Sequence, residues 1–229
     1  MPHNLLDALS SAMSELAEYL APNYFVDADH DAVVRYAHEQ SAGAASGSEA
    51  VIRLYYAIRD GFRYNPWGVQ LEPAAFKASA VLLRDRERGA HCIDKANLLA
   101  ACARALGVPS RLHFANVRNH IGTAHFERLL GTSLLVFHGY AELYMDDRWV
   151  AATPAFNKEL CDHLNVEPLE FDGKSDSIFQ QYDRAGGRFM EYVRDWGPFA
   201  DIPFELMVGE WKRHYGIDPA RAAWPPRPG

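Results

Sequence analysis

The sequence predicts an α+β fold, because helix-like spacing of apolar residues gives way to strand-like alternation part-way along the chain. Before about residue 106, apolar side chains recur every three or four positions, as on the buried face of a helix. From Arg111 to Trp149, apolar and polar residues alternate in short runs, as in antiparallel strands. Helices that precede an antiparallel sheet are typical of the α+β class.

The first half of the chain contains five predicted helices. Each has an apolar face together with a start or stop signal such as serine, glycine or proline. They are a helix from Leu5 to Leu20 ended by Pro22, a shorter helix over 31–40, one that Ser48 caps and that ends near Gly61, a short turn over 78–84, and a helix from Cys92 to Leu106 that stops at Gly107.

The second half of the chain is predicted to be mainly strands. The alternating runs are 111–117, 134–144 and a returning strand over 148–152 after a tight turn. The segment between the first two runs is too long for a hairpin turn. Further along, the predicted elements are a helix over 157–164, a hairpin of 178–182 with 188–193, and a helix over 204–215.

The composition is that of an ordinary soluble globular protein, with 48% hydrophobic and 23% charged residues. A net charge of −7 argues against nucleic acid as a partner, since phosphate binding requires a basic face. No run approaches the roughly 18 apolar residues of a membrane span, and no signal peptide is recognised. An odd number of cysteines, three, argues against a disulfide framework. We therefore expect a cytoplasmic protein that has no membrane partner.

Cys92 is the residue best placed for chemistry. It stands directly before an apolar helical run, so it is expected in the first turn of a buried helix. Unpaired backbone N–H groups and the positive end of the helix dipole favour a thiolate there. Cys102 and Cys161, by contrast, lie inside helical runs and are expected to be small core residues.

His138 is the expected partner of this cysteine. It opens the alternating strand about forty residues later, and a helix-start cysteine with a later strand histidine is typical of thiol–imidazole sites. Other histidines, at positions 91, 113, 120 and 125, raise the alternative of metal binding. No spacing among them matches a zinc motif, so no metal site is predicted.

Five segments of the chain resemble, in order, the motifs of the transglutaminase-like superfamily, a branch of the papain-like thiol enzymes. Each segment falls on the kind of element that the family pattern requires. The segments are 63–66 (RYNP), 89–99 (GAHCIDKANLL), 107–111 (GVPSR), 138–144 (HGYAELY) and 149–154 (WVAATP).

The resemblance implies a papain-like core in which the cysteine helix packs on an antiparallel sheet. It implies that Cys92 attacks a carbonyl and that His138 takes and returns the proton. The N–H of Cys92 would bind the oxyanion, with a second donor from Trp67 or Gln70, between which the sequence does not choose. Tyr64, in the first motif, is a further groove candidate. Bacterial members are mostly peptidases and amidases, so the implied partner is a peptide or amide, with no cofactor.

One position departs from the family pattern. The third triad member is an aspartate before a proline, whereas this chain has Thr153 before Pro154. Threonine can accept a hydrogen bond from the imidazole but adds no charge. Asn157 is a nearby substitute, because papain-like enzymes accept asparagine in this role.

Three functions remain open on the sequence alone. The first is thiol-dependent hydrolysis or transfer at an amide or peptide-like carbonyl. The alternatives are an inactive binding or scaffold module on the same fold and a metal-binding protein. We expect one domain over 1–229, with a core over about 50–156, a helical extension over 1–45, a C-terminal elaboration over 157–220 and a disordered tail over 221–229. The sequence is silent on oligomeric state.

Overall fold

The computed structural model describes residues 15–120 and 130–217, and the backbone of Ala223–Trp224. The α-helices are α1 Asp31–Gln40, α2 Gly47–Gly61, α3 Ala78–Leu83, α4 Cys92–Ala105, α5 Lys158–Leu164 and α6 Phe204–Tyr215. The strands are β1 Val69–Gln70, β2 Ser110–Asn119, β3 Leu134–Met145, β4 Arg148–Ala152, β5 Met190–Phe199 and β6 Ala223–Trp224. Short 3-10 turns occupy Pro73–Phe76 and Arg86–Arg88. The α+β prediction is confirmed.

Most predicted elements are confirmed to within a few residues at their ends. The cap of α2 is an exception: the side chain of Ser46, not Ser48, accepts the N–H of Glu49, and Glu49 reaches back to Ala45 N. The predicted first helix lies largely outside the described residues, although residues 15–18 are helical. The predicted disordered tail also lies outside them, apart from the backbone of Ala223–Trp224, which pairs with β1.

The main sheet has four antiparallel strands in the order β4–β3–β2–β5. β2 and β3 therefore lie in its centre, with the strand of His138 paired on both sides. The predicted hairpin of 178–182 with 188–193 is wrong in its second half. Only an isolated bridge joins Tyr182 to Arg188, and the chain then continues as β5 along the edge of β2. That pairing links residues far apart in sequence, which a local pattern does not reveal.

Helix α4 is the central element of the core. It packs against β3 on one side and against α1, α2 and α3 on others, so almost every residue along it is buried. A helix that is apolar nearly all round is typically an interior helix. Its first residue, Cys92, contacts both apolar clusters of the protein, the large one around α4 and a smaller one that includes Phe156 and Phe189.

The polar side chains of α4 connect it to distant backbone. Asn97 Nδ2 donates to Phe25 O and Phe76 O, each at 2.9 Å. Lys95 is completely buried, and its Nζ donates to three carbonyl oxygens at 2.8 Å each. Buried polar groups need such partners to offset the loss of water. They fix the helix, and hence its first turn, relative to the surrounding loops.

Within the described ranges, no helix combines the length and the apolar character needed to cross a membrane.

Candidate active site

The first turn of α4 is held by its own capping residues. His91 Nδ1 accepts the N–H groups of Ile93 and Asp94, and the Asp94 carboxylate accepts the N–H of His91. Arg84 pairs with Asp94 at 2.5 Å. Cys92 is thus the first residue of a rigidly capped helix, which confirms its predicted place in the chain.

Gly89 allows a loop to approach this turn. Its φ is +66°, and a Cβ there would lie 2.4 Å from Arg63 O and 2.9 Å from Asn65 Cβ. The close approach lets Ala90 N donate to Arg63 O and Asn65 N donate to Ala90 O. Only glycine combines this conformation with this contact. The result is that Tyr64, between these residues, lies beside Cys92.

Cys92 and His138 line the same cavity, together with Tyr64, Val69, Phe137 and Trp211. The backbone N–H of Gly139, the residue after His138, is directed at the cysteine sulfur and acts to lower its pKa. The start of α4 therefore meets β3 at the predicted histidine. Residues 46 positions apart in the sequence therefore line one cavity, and their action as a thiol–imidazole pair stays a prediction.

Both groups are in their neutral forms at neutral pH. Burial raises the pKa of Cys92 to about 11, although the N–H groups of Gly139 and Ile93 oppose the shift. Burial also lowers the pKa of His138 to about 4. The helix-start N–H groups act in the direction expected from the sequence, but the loss of water outweighs them. The resting pair is a thiol and an uncharged imidazole.

A β-bulge immediately before His138 sets the position of its backbone. Ala115 pairs with His138 but Val117 pairs with Leu135, so β3 has an extra residue opposite Asn116. Phe137, in this bulge, has a φ of +59°, which a bulky side chain rarely adopts. A conformation of this kind persists only where its surroundings impose it.

Three side chains hold the bulge by its backbone. Asn116 Oδ1 accepts Phe137 N–H at 3.1 Å, and it also accepts the indole N–H of Trp196 at 2.8 Å. From α6, Trp211 Nε1 donates to Val136 O at 2.9 Å. The Tyr215 hydroxyl accepts Val136 N–H at 2.6 Å and donates to Leu134 O at 3.1 Å. The polar groups that the bulge removes from the sheet ladder are thereby satisfied.

The two candidates for the third triad position have other partners. Thr153 is buried, and its hydroxyl donates to Ile178 O. Asn157 Oδ1 accepts Tyr64 N–H at 3.0 Å, and its Nδ2 donates to Glu159 at 2.7 Å. Among the described residues, neither side chain hydrogen-bonds to His138. Asn157 instead positions the loop of Tyr64, and an orienting role for either residue stays a prediction.

The three oxyanion and groove candidates fall into two places. Tyr64 lines the cavity of Cys92, and the thiolate form of Cys92, after burial, raises the pKa of Tyr64 further. Trp67 and Gln70 line an adjoining cavity with Asp94, and Gln70 accepts a hydrogen bond from Arg88 at 3.2 Å. Of the three candidates, Tyr64 is therefore the one that lines the same cavity as Cys92.

The histidines of the metal alternative are dispersed. His91 caps α4, whereas His113 lies between Glu142 and Asp195, at 3.0 and 2.6 Å, and stacks on Tyr140. His125 lies outside the described residues. In the part of the chain that the structure describes, no three His, Cys, Asp or Glu side chains are grouped as metal ligands would be.

Four residues of the site were not found from the sequence: Asn116, Gly139, Trp211 and Tyr215. Gly139 had a readable signal, since a glycine inside a strand often marks a close approach of another element. A Cβ there would lie 3.1 Å from Phe114 and 3.3 Å from Ile93. The other three act through contacts between distant segments, for which the sequence has no local signal.

A thiol and an imidazole on facing elements of an α+β fold define a candidate cysteine-dependent acyl-transfer site. The family model of the transglutaminase-like superfamily matches residues 34–154, more than half of the chain. The chain therefore belongs to the transglutaminase-like superfamily, which has a cysteine-based catalytic fold. The transglutaminase-like core expected from the sequence, with the cysteine helix packed on an antiparallel sheet, is confirmed.

One solved structure is similar to this chain, that of a protein from Cytophaga hutchinsonii described as a candidate cysteine protease. The two share 15% sequence identity with a TM-score of 0.49. The match covers 84% of this chain, which spans only 50% of that protein's length. No curated protein matches the sequence.

Proposed function

We propose that this protein hydrolyses or transfers acyl groups at an amide or peptide-like carbonyl, with Cys92 as nucleophile and His138 as general base. The observation that carries the proposal is the meeting of α4 and β3: Cys92 and His138 line one cavity, and Gly139 N–H is directed at the sulfur. Family membership supports cysteine-based chemistry on this fold.

The resting protonation states determine how the reaction starts. Because burial raises the pKa of the thiol to about 11 and lowers that of the imidazole to about 4, forming a thiolate–imidazolium pair before the substrate binds is unfavourable. Proton transfer to His138 is therefore expected to accompany attack of the sulfur on the carbonyl carbon. The imidazole acts as a general base within that step, rather than holding a preformed thiolate.

The remaining steps follow from the same two groups. The carbonyl oxygen becomes an oxyanion, which the Cys92 N–H at the helix start can bind, with the Tyr64 hydroxyl as the proposed second donor. The tetrahedral intermediate expels the amine, which takes the proton from His138, and leaves a thioester on Cys92. His138 then removes a proton from water or from an acceptor amine as it attacks the thioester. The sulfur leaves and regains that proton.

A non-enzymatic binding module is the second candidate. It is favoured by Thr153 in place of the family aspartate, and by the hydrogen bonds that engage Thr153 and Asn157 elsewhere. An imidazole without an orienting carboxylate loses a contribution worth up to about 10⁴ in rate in serine proteases. The two candidates differ in whether Cys92 turns over a substrate.

The deciding experiment is a screen of amide and ester substrates with the wild type, Cys92→Ala and Cys102→Ala. Cys102 is a completely buried thiol on the same helix, so its replacement is the matched control. We expect turnover that is lost in Cys92→Ala and kept in Cys102→Ala, with a thioester adduct at Cys92 by mass spectrometry. Equal rates in all three proteins, with no adduct, would exclude the enzyme and favour the binding module.

We also propose that the protein works in a reducing compartment such as the cytoplasm. All three cysteines are free thiols, and the proposed chemistry requires Cys92 to stay reduced. Fractionation of the source cells, followed by mass spectrometry of Cys92, tests this. Recovery of the protein in an oxidising compartment would contradict it.

A further inference from the structure

We propose that the cavity beside Cys92 binds the acyl part of the substrate and selects uncharged, apolar acyl chains. This inference rests on the proposed function and adds a substrate class to it. The cavity has a volume of about 80 Å³. One water needs about 10–15 Å³ on the same kind of measure, so several non-hydrogen atoms of a ligand fit.

The walls of the cavity are mainly aliphatic and aromatic carbon. Val69 of β1 and Leu135 and Val136 of β3 supply aliphatic surface, and Phe137 and Trp211 supply aromatic surface. Such a lining is typical of sites that bind apolar groups through removal of their surface from water.

The polar atoms of these walls are already engaged with backbone. Trp211 Nε1 donates to Val136 O, and the Tyr215 hydroxyl is bonded to both neighbours in the bulge of β3. His91, also in the lining, uses Nδ1 to cap α4. These residues therefore present mostly ring carbon to a ligand, and a buried amide in the ligand would lose its water without gaining an equivalent partner.

Charged acyl chains meet the same difficulty more strongly. Among the described residues that line the cavity there is no Lys, Arg, Asp or Glu. Arg84 and Asp94 line the adjoining cavity instead, and they form an ion pair with each other. A carboxylate thus has no cation to pair with. The polar side chains left for the amide of a glutamine-like chain are those of Tyr64 and His138, which the proposed chemistry already uses, so the lining disfavours glutamine-dependent protein crosslinking.

Three acyl p-nitroanilides of nearly equal shape test the selectivity: 5-methylhexanoyl, 4-carbamoylbutanoyl and 4-carboxybutanoyl. They differ in whether the chain ends in an isopropyl group, a primary amide or a carboxylate. We expect kcat/KM for 5-methylhexanoyl to exceed that for the amide by about 10- to 100-fold, and that for the carboxylate by more. All rates are taken as the difference between the wild type and Cys92→Ala.

A variant of the wall supplies a second, independent readout. Val69→Lys places an ammonium in the lining, and it should shift the ratio of kcat/KM toward the 4-carboxybutanoyl substrate by about tenfold or more. Leu206→Lys makes the same change at a side chain that is 42% exposed on α6 and lies outside this cavity. It should leave the ratio unchanged.

Ligand binding separates failure of this inference from failure of the proposed function. In Cys92→Ala, saturation-transfer NMR is expected to show binding of 5-methylhexanamide in preference to glutaramide, and weaker binding after Val69→Lys is added. Cys92-dependent turnover that favours the amide or carboxylate chain would overturn the apolar selectivity alone. Absence of turnover would overturn the proposed function, and the NMR preference would still decide the selectivity of the cavity: equal or tighter binding of glutaramide refutes it.

Discussion

Replacing Lys95 by methionine should destabilise the protein far more than an ordinary loss of charge. Its Nζ donates to Arg59 O, Phe62 O and Ala155 O, each at 2.8 Å, and the side chain is completely buried. The first two carbonyls belong to the end of α2, where a helix leaves C=O groups without partners. One lysine thus terminates α2 and joins it to the loop after β4.

The magnitude follows from the three carbonyl oxygens. Leaving a buried polar group unsatisfied costs about 1–3 kcal/mol, and relaxation of the loops limits the sum. We expect the free energy of unfolding to fall by about 3–5 kcal/mol, toward the lower end of the sum for three such carbonyl groups. Typical domains have only about 5–15 kcal/mol in total, so Lys95→Met is expected to approach the limit of folding.

Urea unfolding followed by circular dichroism measures this change. Lys212→Met, at an exposed position on α6, is the matched control and should lie within about 0.5 kcal/mol of the wild type. A loss below about 1 kcal/mol in Lys95→Met would refute the reasoning. It would mean that water or neighbouring groups satisfy the three carbonyls without the lysine.

Three further predictions concern the site. Burial lowers the pKa of His138 from 6.5 to about 4, so the unfolded chain binds more protons than the folded protein between these two pH values. The free energy of unfolding should therefore fall by up to about 3 kcal/mol as the pH drops from 6.5 to 4. His138→Gln should flatten the pH profile of urea unfolding, and an unchanged profile would contradict this. Because burial raises the pKa of Cys92 to about 11, its alkylation by iodoacetamide should accelerate about tenfold per pH unit between pH 7 and 9. A rate that levels off by pH 9 would contradict the raised pKa, and one that is already constant from pH 7 would indicate a preformed thiolate. Gly139→Ala places a Cβ 3.1 Å from the Phe114 side chain and 3.3 Å from the Ile93 side chain, so these side chains must move by a few tenths of an ångström beside the start of α4. Cys92-dependent turnover should fall by about tenfold or more, measured against a Gly209→Ala control whose Cβ meets nothing within 4 Å, and unchanged turnover would show that the close approach is dispensable.

Local signals in the sequence were sufficient for the elements that carry the two reactive groups. Cys92 directly precedes an apolar run that stops at Gly107, and His138 lies within the predicted run 134–144, so both elements were predicted close to their observed bounds. Their meeting was implied by the motifs rather than by periodicity. The family match over residues 34–154 is consistent with that order of motifs.

The rest of the site depends on contacts that no local pattern encodes. The residue with positive φ in the bulge is Phe137 and not a glycine, so the sequence does not predict the bulge. The bulge is stabilised by Asn116, Trp211 and Tyr215, which bind its backbone from other elements. The helix dipole predicts a thiolate at Cys92, but burial raises the pKa of the thiol and keeps it protonated. That burial depends on every element packed around Cys92, so a local pattern does not reveal it.

The hydrogen bonds from α6 to the bulge of β3 also have a consequence for the nascent chain during synthesis. Trp211 and Tyr215 bind Val136 across 75 and 79 positions of sequence. During synthesis, α4 and β3 leave the ribosome well before these two residues do. A nascent chain would therefore contain Cys92 and His138 before Trp211 and Tyr215 are available to line the cavity and bind the bulge. Acquisition of activity would be delayed until the polypeptide has reached Tyr215.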